Sequence, residues 1–343
     1  VTVPLNPPPT PAAGTRRRLL AVACYGYLAA VVGLCVLLRW ADQWWPATLL
    51  LFSPRLAFAL PLPLLAPVAL LFRRPALLLP LALAGLLVAG PLAGGVVPWR
   101  QLAAAPPDEP PFRVLTCNMH YGRFGPAALE HLVAQTDPDV VALQEWPRQS
   151  DSALLTGPGW HAHRTHGLFL ASRHPILRAD ILGNDSNSKD GRVGRYELDT
   201  PGGVVVVFSL HLASPREGVY ATIHQTEGGA APVEDNADLR WRQSRSVAEA
   251  ARKERTPVVL LGDFNTPAES SIFRTVWGDY TDAFAAAGWG WGYTFHGGRT
   301  WVRIDHVLAG PGWRCTRCWV AGGIGSPHFP VLADLVREAP GPR

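Results

Sequence analysis

The stretch "PVVLLGDFNTPAES", residues 257–270, closes a short apolar run with an aspartate, a phenylalanine and an asparagine. The run 258–261 is bounded by Pro257 and Gly262, which favours a strand covered on both faces over a helix. Side chains alternate along an extended chain, so Asp263 and Asn265 project to one side. Two readings of that tip stay open: a turn, which Asp, Asn and Gly suit, or one edge of a polar site whose partners lie elsewhere.

Working outward, apolar residues are unevenly spread over the 343 positions. Between 19 and 97 almost everything is Leu, Ala, Val, Pro or Gly, while the remainder has the make-up of a soluble domain. Residues 19–38 form a charge-free stretch of membrane-spanning length behind Arg16, Arg17 and Arg18. Further spans fit 56–72 and 76–97, with Arg73 and Arg74 between them. Positive residues collect on the cytoplasmic side. Residues 1–18 and the Arg73/Arg74 turn are therefore expected inside, and three crossings put everything after Trp99 outside. A two-span topology, suggested by Pro61, Pro63 and Pro67 in the middle segment, would leave that part in the cytosol. Two apolar segments behind the first argue for a retained anchor over a cleaved signal peptide.

Residues 98–111 are rich in Pro and Ala and read as a linker, followed by a domain over 112–338 and a short tail over 339–343. Residues 111–343 carry 23 Lys plus Arg against 24 Asp plus Glu. A domain that neutralises nucleic-acid phosphates is usually strongly basic, so a polyanionic polymer is disfavoured as partner.

Strands are expected over 112–118, 139–143, 168–172, 192–198, 204–211, 258–262, 303–308, 314–320 and 331–336, and helices over 126–135 and 238–255. Cys315 and Cys318 form a C-x-x-C inside one expected strand, which would point them to opposite faces. No four-ligand zinc spacing accompanies them. The Gly- and Pro-containing stretch 213–236 reads as a long loop, a class that is often functional. Trp241, Trp289, Trp291 and Trp301 suit either a core or a membrane surface, where indoles favour the interface.

Polar residues recur at strand ends: Asn118 after "FRVLTC", Gln144 and Glu145 after "DVVAL", His211 after "VVVVFSL", Asp305 in "RIDHVLA" and His328 in "GSPHFPV". No serine or cysteine nucleophile stands beside a base. Carboxylates, amides and imidazoles in series suggest oxygen ligands for a hard cation together with acid/base groups.

Taken in order, Asn118, Glu145, His211, "GDFN" ending at Asn265, "RID" ending at Asp305 and "SPH" ending at His328 resemble the endonuclease/exonuclease/phosphatase superfamily. The resemblance covers roughly residues 112–336. It implies an α/β (α+β) four-layer sandwich, two mostly antiparallel sheets packed face to face with helices outside, here preceded by an α-helical transmembrane region. It further implies a metal-dependent phosphoric-ester or diphosphate hydrolase. Glu145 would be the principal ligand of Mg²⁺ or Mn²⁺ with Asn118 beside it. Asp263 would orient or deprotonate the attacking water, and Asn265 would hold a phosphate oxygen. His328, fixed by Asp305, would bind the phosphate, and His211 would contact it or protonate the leaving group. Arg195, or equally Arg192, matches a substrate-side arginine, and His166 is the best placed of three nearby histidines for a substrate contact. One departure stands out: Pro327 occupies the position where the superfamily has an aspartate.

The three-span N-terminus also resembles the actinomycete VanJ group of vancomycin/teicoplanin-resistance proteins. That implies a cell-envelope substrate, a lipid-linked phosphate or pyrophosphate at the outer face of the cell membrane. A nuclease of the same fold and a catalytically degenerate binding domain are the alternatives.

Overall fold

The computed structural model describes residues 11–99, 101, 109–122, 126–147, 152–182, 191–224, 229–297 and 300–338. These residues divide into two compact units, one drawn from 1–39 and 54–94, the other from 40–53 and 95–343. Helices α1 (Pro11–Leu38), α2 (Trp45–Leu51), α3 (Leu62–Leu71) and α4 (Leu78–Leu87) occupy the apolar third of the chain. In the first unit α1, α3 and α4 pack through Leu20, Cys24, Ala69, Leu77 and Leu81. Gly14–Leu38 and Pro75–Leu92 are each long and apolar enough to cross a bilayer, whereas Trp45–Leu51 and Arg55–Leu71 qualify only jointly as a bent pair. The middle span expected over 56–72 consists of a 3-10 helix, Arg55–Ala59, followed by α3 in place of one continuous α-helix. Pro67 lies inside α3, and prolines remove the backbone donors that would continue a helix.

The second unit holds two six-stranded sheets. Its strands are β1 (Phe112–Asn118), β2 (Val140–Gln144), β3 (His161–Thr165), β4 (Leu168–Ser172), β5 (Ile176–Leu182), β6 (Arg192–Thr200), β7 (Gly203–His211), β8 (Val258–Asp263), β9 (Thr281–Asp282), β10 (Phe295–Gly297), β11 (Thr300–Val302), β12 (Asp305–Ala309), β13 (Trp313–Val320) and β14 (Val331–Arg337). One sheet runs β13-β14-β1-β2-β4-β3 and the other β5-β6-β7-β8-β12-β9, with β10 and β11 as a separate hairpin. Among the described strands only β1–β2 and β7–β8 are parallel; every other pairing is antiparallel.

Alternation along the strands builds the layers. Val114, Val140, Ala142, Val205, Val207, Val259, Leu261 and Val307 point between the sheets and share one core. Their odd-numbered neighbours in β1 and even-numbered ones in β7 and β8 face outward. Leu115, Cys117 and Val141 pack with Leu129 and Val133 of α5 (Ala127–Thr136). Val206, Phe208, Leu210 and Leu260 pack with Val247 and Ala248 of α7 (Ala231–Arg252) and with Ile272 of α8 (Ser271–Val276). The result is the expected helix–sheet–sheet–helix sandwich. Covering both faces explains why β2 and β8 are buried throughout and apolar up to their polar ends.

Two local expectations are corrected. The stretch 213–236 is not a long loop: it contains α6 (Arg216–His224) and the start of α7. Cys315 and Cys318 share one face, because a bulge between Cys315 and Arg317 adds a residue that shifts the alternation. Both thiols lie in the inter-sheet core, and burial pushes Cys315 up to about 12. In addition, residues 40–53 fold with the second unit. Asp42, fully buried, accepts from Arg240 Nη2 at 2.5 Å and from Ser270 Oγ. Trp241 Nε1 donates to the Asp42 carbonyl at 2.9 Å, and Ser271 N to that of Ala41 at 3.3 Å.

Candidate active site

At one end of the sandwich the inward-facing positions turn from apolar to polar. The parity that carries Val114, Ala142, Val207, Leu261 and Val307 into the core carries Asn118, Gln144, His211, Asp263 and Asp305 to the same gap. Pairing then aligns them. Asn118 is opposite Gln144, His211 opposite Asp263, and Asp263 opposite Asp305. Gln144 ties the sheets together, its Nε2 donating to Thr116 Oγ1 at 3.1 Å and to Ser209 Oγ at 3.4 Å.

Asp263 occupies the centre of this cluster. Asn118 Nδ2 donates to Asp263 Oδ2 at 3.0 Å and to Glu145 Oε1 at 3.1 Å, while its Oδ1 accepts from His120 N at 2.9 Å. His211 Nε2 is 3.4 Å from Glu145 Oε1 and 3.9 Å from Asp263 Oδ2. His328 Nε2 is also 3.9 Å from Asp263 Oδ2, and its Nδ1 is 2.9 Å from Asp305 Oδ2. Asn265 N donates to Asp263 Oδ1 at 2.9 Å, and its side-chain amide donates to Leu212 O at 2.8 Å. Glu145 and Asn265 both sit just past a strand in the left-handed region, at φ 49° and 48°. Such strained positions concentrate at functional sites.

Gly262 has its own geometric reason. Its φ is +139°, and a Cβ there would meet Leu210 O of the adjacent strand at 2.1 Å. Only glycine allows β7 and β8 to approach closely enough to set His211 beside Asp263.

The charges follow from burial and crowding. Burial and the facing Asp305 carboxylate push Asp263 up to about 7, against the pull of His328 and the Asn118 and Asn265 hydrogen bonds. Burial opposes protonation of His328, but Asp305, Asp263 and Glu145 outweigh it and raise His328 to about 9. Burial, with His328 and Arg192 nearby, depresses His211 to about 4 despite Glu145. One imidazole is therefore cationic at neutral pH and the other neutral, either side of a carboxylate able to exchange a proton.

The donor set fits a hard divalent cation. Glu145 Oε2 is buried and accepts no hydrogen bond, which leaves a charged oxygen for an ion. Asp263, Asp305 and His328 also present one atom each within 4.8 Å of one another.

Two expected substrate residues stand apart. Arg195 belongs to the outward-facing set of β6, three positions from Arg192, and is held by Glu254 at 2.6 and 2.8 Å, by Glu197 at 2.7 Å and by Asp180 at 3.3 Å. It is an ion-pair hub on the helix side of the sheet. Arg192 pairs with His211 in the β6–β7 ladder and its charge is felt at that imidazole. His166 is at the exposed tip of the β3–β4 turn, its Nδ1 2.8 Å from Thr165 Oγ1. That turn is joined to the site through Gly167 O, which accepts from Trp146 N at 2.9 Å.

Sequence reasoning passed over several contributors. His120 Nδ1 lies 3.7 Å from Glu145 Oε2; its place two residues after Asn118 was the available signal. Ser326 Oγ donates to Asn118 O at 2.6 Å and accepts from His328 N at 3.1 Å, pinning the loop that carries His328. Phe295 packs against the His328 ring, centroids 4.9 Å apart.

Acids and imidazoles thus converge at one end of a two-sheet α/β sandwich. A profile described as the endonuclease/exonuclease/phosphatase family matches residues 115–328, and the chain belongs to that family. No curated protein matches it in sequence. Among solved structures it is similar to the endonuclease/exonuclease/phosphatase from Beutenbergia cavernae DSM 12333, at 20% identity over 67% of this chain and 72% of that one, TM-score 0.50. It is also similar to humanized D. rerio TDP2 carrying 14 mutations, at 15% identity over 66% and 98%, TM-score 0.52. A third is an AP endonuclease from Archaeoglobus fulgidus, at 15% identity over 66% and 100%, TM-score 0.50. At these identities the likeness speaks for the fold. Members of the family are generally metal-dependent hydrolases of phosphoester bonds.

Proposed function

We propose that this protein is a membrane-anchored, metal-dependent phosphoesterase acting on the phosphate ester or pyrophosphate of a lipid-linked cell-envelope intermediate at the outer membrane face. The observation that carries the catalytic part is the placement of Asp263 between the His211 and His328 imidazoles, each 3.9 Å from its Oδ2, with Asn118 linking it to Glu145. Glu145, kept in line by Asn118, would hold Mg²⁺ or Mn²⁺. When bound, the ion would offset phosphoryl charge, the main requirement of phosphoryl transfer. Asp263, raised toward neutrality, takes a proton from the attacking water. His328, cationic and oriented by Asp305, binds the phosphate oxygens. His211 carries one N–H to the phosphate or the leaving oxygen, and Asn265 borders the same gap, with the Arg192 charge felt at His211.

Two features support the outer face. Arg16–Arg18 precede the apolar part of α1 and favour a cytoplasmic start, which delivers residues 40–53 to the outside. Those residues are built into the catalytic unit through Asp42 and Arg240, so both lie on one side of any membrane. The chain from 54 to 94 must then cross an even number of times. If Pro75–Leu92 crosses, Arg55–Leu71 crosses as well, giving three spans in all. The near-neutral domain supports a lipid phosphate over nucleic acid.

The test is phosphate release by the full chain in nanodiscs from a long-chain isoprenyl pyrophosphate, with plasmid DNA alongside, with and without Mg²⁺ or Mn²⁺. Metal-dependent release from the lipid is expected. Nicking of the plasmid without lipid hydrolysis would overturn the reading in favour of a nuclease, and no hydrolysis of either would favour a binding domain.

A further inference from the structure

The hairpin β10–β11 stands between the catalytic gap and a second concavity. Phe295 packs on His328, whereas the next residue, His296, turns to the other side. There it stacks on Trp301, centroids 4.5 Å apart and planes 12° apart, and lines a cleft of about 540 Å³. Trp289, Trp291, Trp301 and Trp319 line it, with the Arg317 guanidinium over the Trp319 ring at 4.4 Å. A volume and aromatic lining of this kind suit an apolar ligand of moderate size. Yet the indoles are open to solvent: Trp289 is 67% exposed and Trp301 50%. Exposed apolar patches of this sort mark an interaction site.

Chain connectivity says which solvent they meet. Val96 and Gly290 form a two-way backbone bridge, Val96 N to Gly290 O at 2.8 Å and Gly290 N to Val96 O at 3.0 Å. Val96 follows the apolar stretch that ends at Leu92 by four residues, at most about 14 Å of extended chain. The bridge therefore ties Trp289 and Trp291, the two neighbours of Gly290, to the end of a candidate span. Trp40, Trp44 and Trp99, each more than half exposed, also lie within a few residues of apolar segments. Tryptophans so distributed belong at a lipid–water interface.

The geometry points to the Trp289/Trp291/Trp301 cleft as the binding site for the apolar chain of a membrane lipid whose phosphate enters the catalytic gap on the far side of β10. The inference rests on the lipid-phosphate reading and adds the element that selects a long chain.

Two measurements on the full chain separate this inference from the reading beneath it. In the first, Trp289→Ala and Trp301→Ala are assayed in nanodiscs on a long-chain isoprenyl phosphate and on water-soluble p-nitrophenyl phosphate. KM for the long-chain substrate should rise about tenfold, with kcat and soluble-substrate turnover unchanged; that turnover also reports that the variants fold. In the second, a dibrominated long-chain monophosphate is added to the inactive Glu145→Gln protein in detergent. It should quench tryptophan fluorescence, and less so after Trp289→Phe with Trp301→Phe. Long-chain hydrolysis with equal KM in parent and variants, together with equal quenching, would sink the cleft while leaving the phosphoesterase standing. Variant-sensitive quenching without any hydrolysis would keep the cleft as a lipid site and remove the enzyme.

Discussion

Asp305 Oδ2 lies 2.9 Å from His328 Nδ1 and so turns the opposite ring nitrogen toward Asp263. The two partners are 23 residues apart in sequence and come from a strand start and a loop. Thr294 Oγ1 holds the strand end, accepting from Ile304 N at 3.1 Å and from Asp305 N at 3.0 Å. Replacing Asp305 by Asn keeps the shape but removes the charge that orients and protonates the ring. A loss of roughly 10²–10⁴-fold in kcat is expected, in line with the same change in other carboxylate–histidine pairs. Single-turnover phosphate release measures it; a loss smaller than about threefold would contradict the assignment.

Glu145→Gln should act through the ion. Its Oε2 is, with Asp305 Oδ1, a buried carboxylate oxygen that accepts no hydrogen bond among the described residues, and a neutral amide is a far poorer ligand for a hard cation. Mn²⁺ binding followed by calorimetry should weaken by at least about tenfold while the circular dichroism spectrum stays that of the parent. Parent-like Mn²⁺ affinity in this variant would reassign the metal site.

Pro327 is half-buried next to His328. Its carbonyl accepts from His296 N at 2.9 Å, a bond that any residue could maintain. Pro327→Asp adds a carboxylate to a cluster suited to cations, so half-maximal activity should be reached at a lower Mg²⁺ concentration. His328→Ala, made alongside, should have no measurable turnover at any concentration. Equal activity in the parent and His328→Ala would remove the imidazole from the mechanism.

How much of this was legible in the sequence differs by residue. Asn118, Glu145, His211, Asp263 and Asp305 could be read because each ends or begins an apolar run, and alternation sends strand-end residues to one face. Arg195 and Arg192 could not be told apart in the sequence, because three positions put them on opposite faces of one strand and no local pattern says which face looks inward. Arg192, on the other parity, is the one whose charge is felt at His211. The β3, β5, β10 and β11 strands escaped detection for a different reason. They are short or lie at sheet edges with half-exposed residues, so no strong period-2 pattern marks them. The role of residues 40–53 was invisible, because a buried ion pair 198 residues apart leaves no local pattern.

A pH test follows from a second ion pair. Arg303 Nη1 contacts both Asp282 oxygens, at 3.0 and 2.7 Å. Burial alone would raise the Asp282 pKa, but Arg303 and His306 outweigh it and hold the carboxyl below its ordinary value. A carboxylate depressed on folding stabilises the native state above its unfolded pKa and loses that contribution as pH falls through the folded value. Stability from this pair should hold from neutrality down to about pH 4 and fall below it. Arg303→Met should cost about 3–5 kcal/mol at pH 7 by leaving the buried charge unpaired. Thermal melts of the parent and the variant across pH measure both, and equal melting at neutral pH would refute a contribution of that size.

Topology has its own check. A reporter that works only after export should be active when fused after Arg337, and one that works only in the cytosol should be silent there. The opposite pattern would turn the catalytic unit inward and remove the proposed substrate from its reach.

The Asp42–Arg240 contact bears finally on synthesis. Asp42 leaves the ribosome 198 residues before its partner, an interval of roughly 10–40 s at ordinary elongation rates. For that time the first turn of the catalytic unit waits beyond α1 with its carboxylate solvated, and the unit closes only when α7 arrives. The converse applies to any fragment cut at residue 95. Such a fragment would bury the Arg240 guanidinium with no counter-charge, so residues 40–53 belong in any piece meant to fold as the second unit, and the apolar stretch 54–94 is in sequence an insertion within that unit.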